Sequence, residues 1–74
     1  MRPRHEIGSH VRRHRLLAEL TQQELADRIG VSRQTVVSIE KGNYTPSVAL
    51  GLRLAQVLGT TVEGLFELGP GDGR

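Results

Sequence analysis

A chain of 74 residues without cysteine makes one small domain, with neither a disulfide nor a thiolate metal cluster to staple it, and one Phe, one Tyr and no Trp leave its core to Leu, Val, Ile and Ala. No apolar run approaches the ~18 residues of a membrane span, and the first residues lack the apolar stretch of a signal peptide, so a cytoplasmic setting away from membranes is expected. The net charge of +2 is uneven: residues 1–15 set five arginines against Glu6, giving +4, and the remainder set five basic side chains against seven acidic ones, giving −2, a distribution that points to an anionic partner.

The opening "MRPRH", residues 1–5, reads as a basic arm carrying Arg2 and Arg4. Ile7 and Val11 lie four apart, and His14, Arg15 and Ala18 continue near that face, which predicts a first helix from about Glu6 to Ala18. At least one of Leu16 and Leu17 is expected in the core. In "LTQQELADRIG", Thr21 and Glu24 fit a capping box, and Leu20 and Leu25 fit a hydrophobic staple. A second helix therefore starts at Thr21, buries Leu25, Ala26 and Ile29, and ends at Gly30. After a short turn, Ser32 caps a third helix that Gly42 closes. "NYTPS" is a loop, with Thr45 as N-cap and Pro46 in first place on a fourth helix whose face is Leu50, Leu54 and Leu58. "TTVEGLFEL" is a short last helix with Val62, Leu65 and Phe66 inward, and "GPGDGR", residues 69–74, has no packing residues and reads as a disordered tail. No stretch alternates as a strand does. The expected fold is all-α, a compact five-helix domain over residues 6–68.

The third helix carries the functional signal. At 100° per residue from Arg33, the side chains of Arg33, Val37, Lys41, Gln34 and Ser38 fall between about 0° and 140°, and Thr35, Ile39 and Val36 between about 200° and 300°. One arc packs on the preceding helix; the other presents Arg and Gln at its N-terminal end. A helix in the major groove of DNA reads bases with its N-terminal residues. Arginine donates twice to guanine, glutamine both donates to and accepts from adenine, and Val37 can touch a thymine methyl group. The helix starts at Gln22–Gln23 and at Ser32 suit phosphates, as does the Thr21 hydroxyl.

With those residues in place, "LTQQELADRIGVSRQTVVSIEKGNYTPS" resembles the helix-turn-helix of the Cro/CI and XRE family of prokaryotic and phage regulators. "LTQQELA", "GVSRQTV", "IEKG" and "YTPS" stand in order at family spacing, and "LGLRLAQVLGTTVEGLF" matches the region that follows. The resemblance covers about residues 6–68. It implies a lambda-repressor-like fold, sequence-specific DNA binding, and a two-fold dimer on a palindromic operator. Carried over by position, Arg33, Gln34 and Ser38 are base readers, with Val37 as an apolar contact. Gln22 holds a phosphate, and Ser32, Lys41, Asn43 and Thr45 match other backbone contacts. Arg15 and Glu40 match a structural ion pair tying the first helix to the end of the third. The chain departs from the family pattern at Glu19, where glycine is common, at His14, where leucine is, at Leu16 and Leu17, where charged residues are usual, and at Gly64, where Glu would complete a second capping box.

Rival readings are poorer. His10 and His14 are four apart, but no cysteine or pair of carboxylates completes a metal site. No nucleophile with a base and no phosphate-binding glycine loop stands out, so no enzyme, cofactor or metal is expected. Residues 6–18 are too poor in bulky apolar side chains for a membrane-surface helix. The apolar surplus at Val62, Leu65, Phe66 and Leu68 suggests a homodimer contact. The main expectation is a dimeric repressor that binds double-stranded DNA. The alternatives are a protein-interaction module of the same fold, such as an antitoxin or bridging coactivator, and the DNA-binding part of a larger regulator.

Overall fold

Four helix starts in this chain carry a Ser or Thr in extended backbone, and each hydroxyl accepts the N–H three residues on: Thr21 from Glu24 at 3.0 Å, Ser32 from Thr35 at 3.2 Å, Ser47 from Leu50 at 3.1 Å and Thr61 from Gly64 at 3.0 Å. These caps set the elements of the computed structural model, which describes residues 7–69. In chain order they are β1 (Ile7–Ser9), α1 (Val11–Leu17), α2 (Gln22–Ile29), α3 (Arg33–Lys41), α4 (Val48–Leu58), α5 (Val62–Leu65) and β2 (Phe66–Leu68). The basic arm at residues 1–5, Glu6 and all of the expected tail except Gly69 lie outside the described residues.

The five helices enclose one core of Val11, Leu25, Ala26, Ile29, Val36, Ile39, Leu50, Leu54, Ala55 and Leu65, every one of them aliphatic as the composition requires. α2 and α3 meet through Leu25, Ala26 and Ile29 on one side and Val36 and Ile39 on the other. The left-handed Gly30, at φ 79°, lets only Val31 and Ser32 follow before α3 begins.

Several expectations are corrected. The first helix starts at Val11 and not near Glu6, because Ile7, Gly8 and Ser9 pair antiparallel with Leu68, Glu67 and Phe66. The same pairing ends α5 at Leu65, so Phe66 and Leu68 belong to a strand. Three residues are too few to show a period of two in a sequence. α4 is capped by Ser47 and not Thr45, and Pro46 stands before the cap; serine ranks above threonine as an N-cap, and its hydroxyl reaches the Leu50 N–H.

Leu16 and Leu17 are 49% and 75% exposed, so neither joins the core. Val11 and Arg15, four apart, take the inward face of α1, and the phase of the helix turns both leucines outward. Leu65 is wholly buried, which removes it from any dimer contact.

Glu19 ends α1 in the left-handed region at φ 61°. Its N–H donates to Leu16 O at 3.0 Å and the Leu20 N–H donates to Arg15 O at 3.1 Å, the two bonds of a Schellman close. A glutamate therefore does what the family's glycine does, at a steric cost.

Candidate nucleic-acid interface

The capped start and buried arc of α3 fix which residues face outward. Val36 and Ile39 point into the core, while Arg33, Gln34 and Lys41 are exposed and Val37 and Ser38 half-buried. Arg33, Gln34, Val37 and Ser38 thus share one outward arc, with the long polar side chains at the N-terminal end. Thr35, half-buried at the edge of that arc, sets its hydroxyl 3.0 Å from Ser32 Oγ.

The start of α2 is a second polar locus. Thr21 Oγ1 accepts from the Glu24 N–H at 3.0 Å and Glu24 Oε1 accepts from the Thr21 N–H at 2.8 Å, so the capping box expected from the sequence forms. The Glu24 carboxyl is held below its usual range, first by the hydrogen bond from the Thr21 backbone and then by that of its side chain. A hydroxyl that accepts a bond keeps its own proton to donate, so capping leaves Thr21 able to donate to an anion. The N–H groups of Gln22 and Gln23 are the first of the helix and have no intrahelical acceptor. Gln23 Nε2 donates to Asp27 Oδ1 at 2.9 Å. Asn43 and Thr45 are exposed beyond Gly42, in the segment that leads to α4. Arg2 and Arg4 lie outside the described residues; Arg12 and Arg13 are exposed on α1.

Arg15 and Glu40 meet as the resemblance implies. Arg15 Nε donates to Glu40 Oε2 at 2.6 Å and Nη2 to Oε1 at 3.4 Å, and the two side chains are 9% and 5% exposed. Arg15 Nη1 also donates to Leu20 O at 2.8 Å, so one guanidinium ties α1 to α3 and to the turn before α2. Gln22 Nε2 donates to Glu40 Oε1 at 3.1 Å, and this contact was not expected. No linear signal exists for it, since the two residues lie on different helices and neither belongs to the other's pattern. Arg53 Nη1 to Ile29 O at 3.1 Å, which satisfies a carbonyl at the end of α2, is another such contact.

The histidines are engaged separately. His14 Nδ1 lies 3.0 Å from His10 O, and His10 Nε2 lies 3.5 Å from Glu67 Oε2 across the α1–β2 junction. Among the described residues no helix is long and apolar enough to cross a membrane.

A tight α2–turn–α3 unit, with one arc of its second helix free and polar, defines the helix-turn-helix class. Residues 11–65 match the helix-turn-helix family model, and the chain belongs to that family. It is 49% identical over 59 residues to an uncharacterized HTH-type transcriptional regulator of Methanothermobacter thermautotrophicus, covering 78% of this chain and 86% of the relative. Among solved structures it resembles the restriction-modification controller protein C.AhdI from Aeromonas hydrophila, with a TM-score of 0.66, 30% identity, and coverage of 72% of this chain and 80% of the other. It also resembles the clp gene regulator ClgR from Corynebacterium glutamicum, with a TM-score of 0.68 and 28% identity over 73% of this chain; the match spans only 57% of ClgR. Membership of this family agrees with the expectation that the chain is not an enzyme.

Proposed function

We propose that this chain is a sequence-specific transcription regulator of double-stranded DNA that acts as a dimeric repressor on a two-fold operator. The observation that carries the reading is the free arc of α3. Val36 and Ile39 on its far side are fully buried, and Arg33 and Gln34 stand out at the end a major groove would receive. Arg33 donates to guanine O6 and N7, Gln34 pairs with adenine N6 and N7, Val37 meets a thymine methyl group, and Ser38 adds a hydroxyl. Thr21, Gln22, Ser32, Lys41, Asn43 and Thr45 hold phosphates and fix the register, and Arg2 and Arg4 add positive charge for the same backbone. In this reading the protein represses by excluding others from the site it occupies.

The dimer contact is apolar and lies across α4, α5 and β2. Val62 and Phe66 are half-buried and Leu68 is exposed. Val48 and Leu52, 80% and 58% exposed, extend this surface, and two shallow depressions on it share Val48 and Val62. Arg53 and Glu63 border it with opposite charges, which suits a self-complementary two-fold contact.

Selection of bound duplexes from a random pool tests the reading, followed by titration of the selected site at two salt concentrations. The expected result is a two-fold palindrome with half-sites about one turn, ~34 Å, apart. Recovery of only weak, steeply salt-dependent binding would leave a charge effect without base reading and would overturn the proposal.

A further inference from the structure

We infer that Glu40 is a positioning residue for the phosphate contact at the start of α2, and that Arg15 is what allows a carboxylate to serve there. The inference rests on the reading of Gln22 as a phosphate-holding residue. A glutamine amide nitrogen carries two hydrogens. Gln22 gives one to Glu40 Oε1 at 3.1 Å, which holds the side chain in one arrangement and leaves the second hydrogen for an incoming oxygen. The half-buried Gln22 thus meets DNA with its rotamer already chosen, and binding need not order it.

A carboxylate next to a phosphate contact would repel the ligand if it were bare. Glu40 is not bare. Arg15 donates to both of its oxygens, at 2.6 Å and 3.4 Å, so an ion pair and not a lone anion stands behind Gln22. The side chains of the pair are 9% and 5% exposed, so the neutralisation is little screened by solvent. Arg15 has a second tie, to Leu20 O just before the Thr21 cap, and the same guanidinium that balances Glu40 therefore anchors the turn from which α2 starts. Three helices meet in one chain of contacts that ends on the residue read as a phosphate hook.

Removing Glu40 alone would strand Arg15 in the interior, so the informative variant replaces the pair with apolar side chains of similar length, Arg15→Met with Glu40→Met, which commonly preserves a fold. The full chain and this variant would each be made with and without Gln22→Ala. Their affinities for a short random-sequence duplex would be measured at two salt concentrations, with melting curves recorded for all four. The expected result is that Gln22→Ala weakens binding about three- to tenfold in the original chain, the range of one modest hydrogen bond, and changes little once the pair is gone. The side-chain amide of Gln22 provides a readout without DNA. In nitrogen-correlated spectra the proton bonded to Glu40 should be displaced from the positions of exposed glutamine amides in the original chain and return toward them in the Met–Met variant. An equal loss from Gln22→Ala in both backgrounds, or an unmoved amide signal in a folded Met–Met variant, would overturn the inference. No loss in the original chain would instead remove the phosphate reading of Gln22, and the positioning role with it. Should the Met–Met variant fail to fold, Arg15→Leu with Glu40→Leu provides the amide comparison, and a Gln22 signal that stays where it is in the original chain would also refute the positioning role.

Discussion

Glu19 is the one residue other than glycine with a positive φ among the described residues, and its Cβ is crowded against its own carbonyl there. Glu19→Gly should therefore stabilise the fold by about 1 kcal/mol, a rise in Tm of about 4–8 °C for a domain of this size. Glu19→Ala keeps the Cβ and should show no such gain; equal melting of the Gly and Ala variants would count against the strain argument. Arg33→Ala acts on a different quantity. It should leave melting unchanged and reduce discrimination at one base pair by about 1–3 kcal/mol, measured by titrating single-base variants of a selected site. At this scale the sequence was informative wherever a role follows from helical spacing. Arg33, Gln34, Val37 and Ser38 share an arc because 100° per residue places them there. Gln22 and Glu40 share a hydrogen bond only because α2 and α3 pack, and no spacing encodes that.

Helix termini were the most legible elements. Thr21, Ser32, Gly30, Gly42 and Gly59 end or begin helices where their side chains, or lack of one, predict it. The box at α2 also has a pH dependence. Its first cause, the Thr21 N–H bonded to Glu24, lowers the folded pKa of that carboxyl below the ordinary 4.5. A lowered folded pKa gives stability that is fully present above the unfolded value and is lost as pH falls through the folded one. Glu24→Gln keeps an acceptor for Thr21 but cannot titrate, so its urea midpoint should fall less between neutral and acidic pH than that of the original chain. Parallel acid losses would show that the charge of Glu24 contributes nothing. Illegible elements were those defined by a distant partner. "IGS" and "FEL" carry no strand pattern of their own and become β1 and β2 only against each other. Thr45-Pro46 offered a start two residues too early, and Ser47 made the bond.

In the whole molecule, the α-helical architecture and the placing of the core were readable because aliphatic periodicity follows burial, but periodicity does not say what covers an apolar face. Leu65 read both as inward and as a dimer residue and is core, whereas Leu52 stands exposed on α4 beside Val48. Leu52→Lys should leave the monomer's melting nearly unchanged and weaken self-association at least about tenfold, roughly 1.4 kcal/mol, read by sedimentation. Undiminished association would move the contact elsewhere, the exposed Leu16 and Leu17 being the next place to look. The two-stranded sheet has a consequence for the order of assembly. It joins position 7 to position 68 and so closes nearly the longest loop available to the described chain, whereas α2 and α3 are neighbours in sequence. The entropy of closing a loop grows with its length, so strand pairing becomes favourable only after the helices have condensed and brought the ends near. On this ordering the sheet is a latch, closing the two ends of the described chain over helices that have already packed.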